Sequence, residues 1–122
     1  MRYKVVVEIK VFLYCRVAHN DGFSLEAQER ELRFHAAQFG YTIIGAAAEH
    51  GSGLTLDRPA LQKVTQAVQS DKVELVLVMS IDRIGREWGT TQRYIDLLTE
   101  HRAKLLCIKE RCLFSDKGVV YF

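Results

Sequence analysis

The segment Val73-Glu74-Leu75-Val76-Leu77-Val78-Met79 decides the fold, because it is a nearly unbroken apolar run of strand length. A strand with one solvated face alternates apolar and polar residues, whereas a continuous apolar run is typical of a strand that is buried on both faces. Such strands belong to parallel sheets whose two faces are covered by helices. We therefore predict a mostly parallel α/β sheet that contains this segment.

Further apolar runs alternate with helical patterns along the rest of the chain. Strands are predicted at residues 11–15, 41–48 and 104–108, and a backward extension of the first one through residues 4–9 is left open. Helical spacing predicts one helix between Ser24, as its N-cap, and Gly40, a second that starts at Pro59, and a third that begins near Trp88. Strands that alternate with helices predict a three-layer α/β domain built from right-handed βαβ units.

The composition fits one ordinary globular domain. The chain has 122 residues, of which 48% are hydrophobic and 26% are charged, so disorder and fibrous repeats are excluded. The formal net charge is +2, which does not by itself indicate a nucleic-acid binder. Any contact with phosphate must then come from local clustering of cations.

The cysteines and the apolar runs predict a cytoplasmic chain without a membrane segment. Three cysteines are an odd number and form no CxxC pair, which favours free thiols in a reducing compartment. His101, Cys107 and Cys112 lie close in sequence, but their spacing matches no structural zinc pattern. The apolar runs are too short for a membrane span or the core of a signal peptide.

Four arginines occur in the three loops that follow predicted strands. Arg16 follows the first strand, Arg58 lies in the loop after the second, and Arg83 and Arg86 follow the third. Because the carboxyl ends of parallel strands meet at one edge, these guanidinium groups are predicted to converge there. Each guanidinium can hold two oxygens of a phosphate.

The same arginines have a simpler interpretation. Loop arginines are usually solvated, and Asp57-Arg58 and Asp82-Arg83 are compatible with surface ion pairs that contribute little to stability. Composition and spacing alone therefore predict only an anion-binding α/β domain.

Three segments, which occur along the chain in the same order as in the family, resemble the catalytic domain of the serine recombinases, the resolvase/invertase family. The first is Tyr14-Cys15-Arg16-Val17, which is followed by Ser24-Leu25-Glu26-Ala27-Gln28. The second is Ser52-Gly53 with Asp57-Arg58-Pro59-Ala60-Leu61. The third, Asp82-Arg83-Ile84-Gly85-Arg86, is similar to the family's D-R-L-G-R stretch. The resemblance covers residues 11–108, with a continuation to residue 118 left open.

The resemblance implies DNA strand cleavage and rejoining through a phosphoserine intermediate, with no nucleotide cofactor and no obligatory metal. It places Arg16, Arg58, Arg83 and Arg86 around the scissile phosphate. Asp82 would orient an arginine or handle the proton of the leaving oxygen. Glu49 and Ser52 match supporting polar positions. Gln28 lies in a matched stretch, although a solvated helix residue is an equally open interpretation.

The chain departs from the family at the nucleophile. The serine follows Arg-Val directly in the family, and here that position is Ala18. A methyl group cannot attack phosphorus, so the chain is predicted to be unable to form the covalent intermediate. Ser24 and the adjacent His19 are conceivable substitutes, but Ser24 is better explained as a helix cap, and the His19 side chain is expected to point away from that of its neighbour.

The resemblance also implies partners. The chain is expected to be a single catalytic domain, residues 1–122, that stops before the family's long dimerisation helix and DNA-binding tail. The segment Ser115-Asp116-Lys117-Gly118 resembles the turn that precedes that helix. DNA binding is then expected to be weak and salt-sensitive, through backbone contacts. A homodimer or tetramer is expected for full-length members of the family, and the state of this chain is left open.

Two other functions remain open. The first is a non-catalytic, recombinase-like module that binds DNA or a recombinase partner. The second is a phosphate-binding signalling domain on a doubly wound sheet, in which Asp82 is a phosphoryl acceptor or a metal ligand.

Overall fold

A computed structural model describes residues 8–18 and 24–122, and over these residues the chain forms one sheet with helices on both faces. The strands are β1 (Lys10–Val17), β2 (Thr42–His50), β3 (Leu75–Val78), β4 (Lys104–Cys107), β5 (Cys112–Ser115) and β6 (Gly118–Tyr121). The helices are α1 (Leu25–Phe39), α2 (Pro59–Gln69) and α3 (Trp88–Glu100), and a short 3-10 helix spans Ile81–Arg83.

The strand order is β2-β1-β3-β4-β5-β6. β1 runs parallel to β2 and β3, β3 runs parallel to β4, and β5 and β6 are added as antiparallel strands. The predicted mostly parallel α/β sheet is therefore confirmed. All four residues of β3 are buried, as its continuous apolar sequence predicts.

Two apolar cores lie between the sheet and its two helical layers. On one face, α1 packs Leu32 and Ala36 against β1 and β3. On the other face, α2 and α3 pack Leu61, Val64 and Leu98 against the same sheet. The direction of the connections explains this arrangement, because right-handed crossovers that lead to opposite ends of a sheet place their helices on opposite faces.

The ends of α1 follow the sequence signals. The Ser24 hydroxyl oxygen accepts a hydrogen bond from the backbone N–H of Ala27 at 2.9 Å, which satisfies one free donor of the first turn. Gly40 ends the helix with φ of 73°, a left-handed conformation that glycine adopts without a steric penalty. α1 therefore begins and ends at the residues that the sequence indicates.

Three local expectations differ from the structure. Arg16, which the sequence predicts in the loop after the first strand, lies within β1, because the pairing of β1 with β2 continues to Val17. β1 begins at Lys10, so Glu8 and Ile9 lie outside the strand, and residues 4–7 of the suggested extension lie outside the described residues. The turn at residues 115–118 leads into a strand, because Ser115 pairs with Gly118 and Val120 with Leu113 in a β-hairpin. Among the described helices, none has the length and apolar character needed to cross a membrane.

Candidate functional site

The parallel register brings three loops to one edge of the sheet. β1 ends at Val17 and β2 ends at His50, and these two residues are register partners. The backbone N–H of Gly51 donates to the Val17 carbonyl at 3.0 Å, and that of Arg86 donates to the Gly53 carbonyl at 2.9 Å. Backbone hydrogen bonds therefore join the end of β1 to the loop after β2, and that loop to the loop after β3.

Arg16 lies inside this junction, with only 2% of its surface exposed. Its guanidinium donates to the carbonyls of Arg83 (3.0 Å), Gly51 (2.8 Å) and Asp82 (2.5 Å). Burial, and then the nearby charge of Arg58, lower the pKa of Arg16. Arg16 thus links β1 to the loops that follow β2 and β3.

Arg58 has the same kind of role from the opposite side. It is 4% exposed, and its guanidinium donates to the carbonyls of Arg83, at 3.2 Å, and of Ile84. It also lies over the Tyr14 ring, 5.7 Å from the ring centre, in a cation–π arrangement. Its Nε is buried and has no hydrogen-bond partner among the described residues.

Arg83 and Arg86 occupy the outer part of the edge. The Arg83 guanidinium donates to the Arg16 carbonyl at 2.9 Å, and its Nε lies 3.8 Å from the Asp82 carboxylate. The side chain of Arg86 is exposed to solvent beside Gly53. The structure therefore brings Arg16, Arg58 and Arg83 together and leaves Arg86 at the rim.

The predicted oxyanion clamp differs from this geometry in one respect. The donors of Arg16 and Arg58 described above are bound to carbonyl oxygens of the protein, and both side chains are buried. In this conformation they hold the loops in place, whereas Arg83 is partly exposed and Arg86 is the most accessible cation of the set. A contact of these arginines with phosphate stays a prediction.

Asp82 is paired with a residue that the sequence reasoning did not single out. The Ser80 hydroxyl donates to the Asp82 carboxylate, and Ser80 itself is 5% exposed. The Asp82 side chain is 61% exposed. The sequence signal for Ser80 is weak, because a small polar residue after a strand is ordinary in a loop.

Glu49 binds the start of α2 and the phenol of Tyr14. Its carboxylate accepts from the backbone N–H groups of Ala60 (2.8 Å) and Leu61 (3.1 Å), and from the Tyr14 hydroxyl (2.6 Å). The side chain of Arg58, the N-cap residue, makes no capping hydrogen bond, so Glu49 satisfies these donors from β2. Burial, followed by the hydrogen bond to Glu49, raises the pKa of Tyr14.

The two remaining supporting positions behave differently. Gln28 is buried, and its side-chain amide binds the backbone of Arg16 at both the N–H (3.1 Å) and the carbonyl (3.3 Å). The interpretation of Gln28 as a solvated residue is therefore wrong. Ser52 is exposed, and its hydroxyl oxygen accepts from the Leu54 N–H at 3.1 Å in a local turn. Ser52 is not brought into the arginine cluster.

The position that the resemblance predicts for the nucleophile lies at the start of the first loop. Ala18 directly follows β1 and is partly buried, one residue beyond the backbone junction at Val17. Of the two substitutes, Ser24 uses its hydroxyl to cap α1, and His19 lies outside the described residues.

Solved structures of recombinase and integrase proteins share this fold. The N-terminal catalytic domain of TP901-1 integrase is 28% identical, with a TM-score of 0.82 over 89% of this chain and 85% of that one. The C-terminal catalytic domain of ISC1926 TnpA, an IS607-like serine recombinase, is 27% identical, with a TM-score of 0.76 over 83% and 70%. A resolvase family site-specific recombinase from Streptococcus pneumoniae is 25% identical, with a TM-score of 0.70 over 83% and 72%.

The fold and the edge that carries the arginines thus define the class, which is that of the serine recombinase catalytic domains. The family model of the resolvase N-terminal domain matches residues 11–118. The chain belongs to this family, as the three sequence segments predict.

Proposed function

We propose that this chain binds DNA at the arginine-bearing edge, as a recombinase catalytic domain, and that it cannot carry out the covalent step. The observation that carries the proposal is Ala18, which stands where β1 ends, directly after Arg16 and Val17. The buried arginines of this edge are present, whereas residue 18 carries a methyl group in place of a hydroxyl that could attack phosphorus.

The missing step is a phosphoryl transfer. In the family, a serine oxygen bonds to the phosphorus of the scissile phosphate, the bond from phosphorus to the 3′ oxygen breaks, and a 3′ hydroxyl leaves. Such reactions depend on positioning and on stabilisation of charge on the transferring oxygens. Arg83 and Arg86 are the cations nearest to the open side of this edge, and Asp82 is the exposed carboxylate beside them. We assign these three residues to the phosphate and to the leaving oxygen.

Restoring the hydroxyl tests the proposal. Supercoiled DNA that carries the gene and its flanks is incubated with the natural chain, with Ala18→Ser, and with Ala37→Ser as the matched control on an exposed face of α1. A denaturing gel then reports protein attached to DNA. We expect attachment with Ala18→Ser alone. Attachment by the natural chain would contradict the proposal.

The second candidate is a non-catalytic module, and the arginine contacts favour it. Arg16 and Arg58 are buried and bound to loop carbonyls, so contacts within the protein occupy these guanidinium groups. If Ala18→Ser binds DNA or a recombinase partner and still forms no covalent product, this second function is supported. Whether the chain forms a dimer or a tetramer is part of the same test, because full-length members of the family are expected to act as dimers or tetramers.

A further inference from the structure

A crevice of about 560 Å³ lies at the carboxyl edge of the sheet, between the start of α1 and the segment after β3. The strand order reverses here, because β1 leads to β2 on one side and β3 leads to β4 on the other. Open α/β sheets bind ligands at this reversal point. The volume lies within the range of roughly 300–1,000 Å³ that is typical of small-molecule sites.

Three kinds of side chain line the crevice. Ala27 of α1 and Met79 after β3 supply apolar surface. Arg83 and Lys109 supply donors with positive charge, and the other lining side chains are polar or acidic: Ser24, Gln28, Glu31, Ser80 and Asp82. An inorganic anion would use only the two cations and would be repelled by the two carboxylates. The lining therefore suits a larger ligand with a partly apolar body.

A nucleotide has all the matching groups. Its base is flat and apolar on its faces, its Watson–Crick edge offers N–H donors to carboxylates, and its phosphate binds cations. Glu31 of α1 also lines the crevice, and 61% of its side chain is exposed, so its carboxylate is available as an acceptor for the base. In a duplex, the Watson–Crick edge of a paired base is already bound to its partner base. The crevice therefore suits an unpaired base.

We propose that the crevice binds one unpaired nucleotide, with its base between Ala27 and Met79 and its phosphate near Arg83 and Lys109. The inference rests on the proposed function, since it names the form of DNA that this edge takes. The same chemistry is present in a free nucleoside monophosphate and in a nucleotide extruded from a duplex. The experiment separates these two sources.

Fluorescence anisotropy of the full chain is measured with a short duplex, with the same duplex carrying one unpaired guanosine, and with an abasic site in place of that guanosine. The abasic duplex has the same backbone irregularity without the base. We expect the unpaired guanosine to tighten binding about tenfold over both other duplexes. Equal affinity for the guanosine and abasic forms would overturn the inference while leaving DNA binding intact.

Matched variants locate the effect. Ala27→Phe fills the crevice and should abolish the tenfold gain, whereas Ala37→Phe, the same replacement on the exposed face of α1, should retain it. If Ala27→Phe does not fold by circular dichroism, Lys109→Ala is compared with Lys104→Ala, and the gain should shrink only in Lys109→Ala. Survival of the full gain in the folded crevice variant would overturn the inference.

A third measurement distinguishes a free nucleotide from a nucleotide in DNA as the ligand. It also distinguishes failure of this inference from failure of the proposed function. Guanosine monophosphate is titrated into labelled protein and followed by amide chemical shifts. Shifts at Ala27 and Lys109, without any binding of DNA, would support a free nucleotide ligand and overturn the proposed DNA function. Absence of both DNA binding and shifts would overturn both proposals. If DNA with the unpaired guanosine binds much more tightly than the free nucleotide, DNA is the source.

Discussion

Gly53 illustrates how closely the loops approach at the level of a single residue. A Cβ atom added to Gly53 would lie 2.6 Å from Cγ of Arg86, 3.0 Å from a terminal nitrogen of Arg16 and 3.2 Å from the backbone nitrogen of Arg86. The carbonyl of Gly53 also accepts the Arg86 N–H. Because Arg16 is itself fixed by three carbonyls, the neighbours have little freedom to move.

We therefore predict that Gly53→Ala destabilises the chain by about 1–3 kcal/mol through overpacking at the loop junction. The free energy of unfolding is measured by urea denaturation. The control is Gly89→Ala, because a Cβ at Gly89 meets no atom within 4 Å and Gly89 lies within α3. This control should be neutral or stabilise by up to about 1 kcal/mol. Equal effects of the two substitutions would contradict the predicted crowding.

At the scale of elements, the start of α2 depends on a side chain from another element. Glu49 of β2 accepts two backbone N–H groups of α2 and the hydroxyl of Tyr14 in β1. The interaction therefore connects the helix to two neighbouring strands. It lies where the second loop enters the helix, next to the N-cap residue Arg58 and the first helical residue Pro59.

Glu49→Ala should lower the free energy of unfolding by about 2–3 kcal/mol, because it leaves three donors without their acceptor. Glu49→Gln is the matched comparison. It keeps one acceptor oxygen and a similar volume, so its loss should be smaller. Urea denaturation of the three chains at neutral pH gives the order. A loss below about 0.5 kcal/mol for Glu49→Ala would show that water replaces the carboxylate.

At the scale of the whole molecule, both cores contain groups that the fold keeps protonated. Burial raises the pKa of Tyr94 to about 12 and raises the pKa of Tyr14 further, and it raises the pKa of Cys15 to about 12. In the unfolded chain a tyrosine ionises near pH 10 and a cysteine near 8.5. The unfolded state therefore releases protons at a lower pH than the folded state does.

The sign of the pH dependence follows from linkage. Stability that is fully present below about pH 8 should fall as pH rises towards 12, because the folded state binds more protons than the unfolded state in this range. Tyr94→Phe removes one such group and should reduce the loss between pH 9 and pH 11 by about 1 kcal/mol. Thermal or urea unfolding of both chains across this range measures the difference. Parallel curves would contradict the assignment.

The layers of the molecule were predictable because they rest on local patterns. The apolar run that contains Leu75 and Val78, and the cap signals at Ser24 and Gly40, act over a few residues of sequence. The hairpin of β5 and β6 was not predicted, since the four residues of β6 are exposed and carry no burial pattern. Its partner positions are set by pairing with β5 alone.

The sequence predicted which arginines gather at the candidate site, but it did not predict which atoms they bind. Parallel strands place their carboxyl ends at one edge, so the order of the segments was enough to gather Arg16, Arg58 and Arg83. Which atoms these guanidinium groups bind depends on loop carbonyls that are far away in sequence, such as those of Gly51 and Ile84. Ser80 and its hydrogen bond to Asp82 were missed for the same reason.

The sequence by itself determined the family, the α/β class and the presence of Ala18 directly after Arg16 and Val17, because motifs and periodicity are local properties of the chain. Only the tertiary structure decided that Arg16 and Arg58 are buried among carbonyls, that Glu49 caps α2 and that a crevice opens beside Met79. Those contacts join residues that are distant in sequence, and their geometry arises only when the strands are in register.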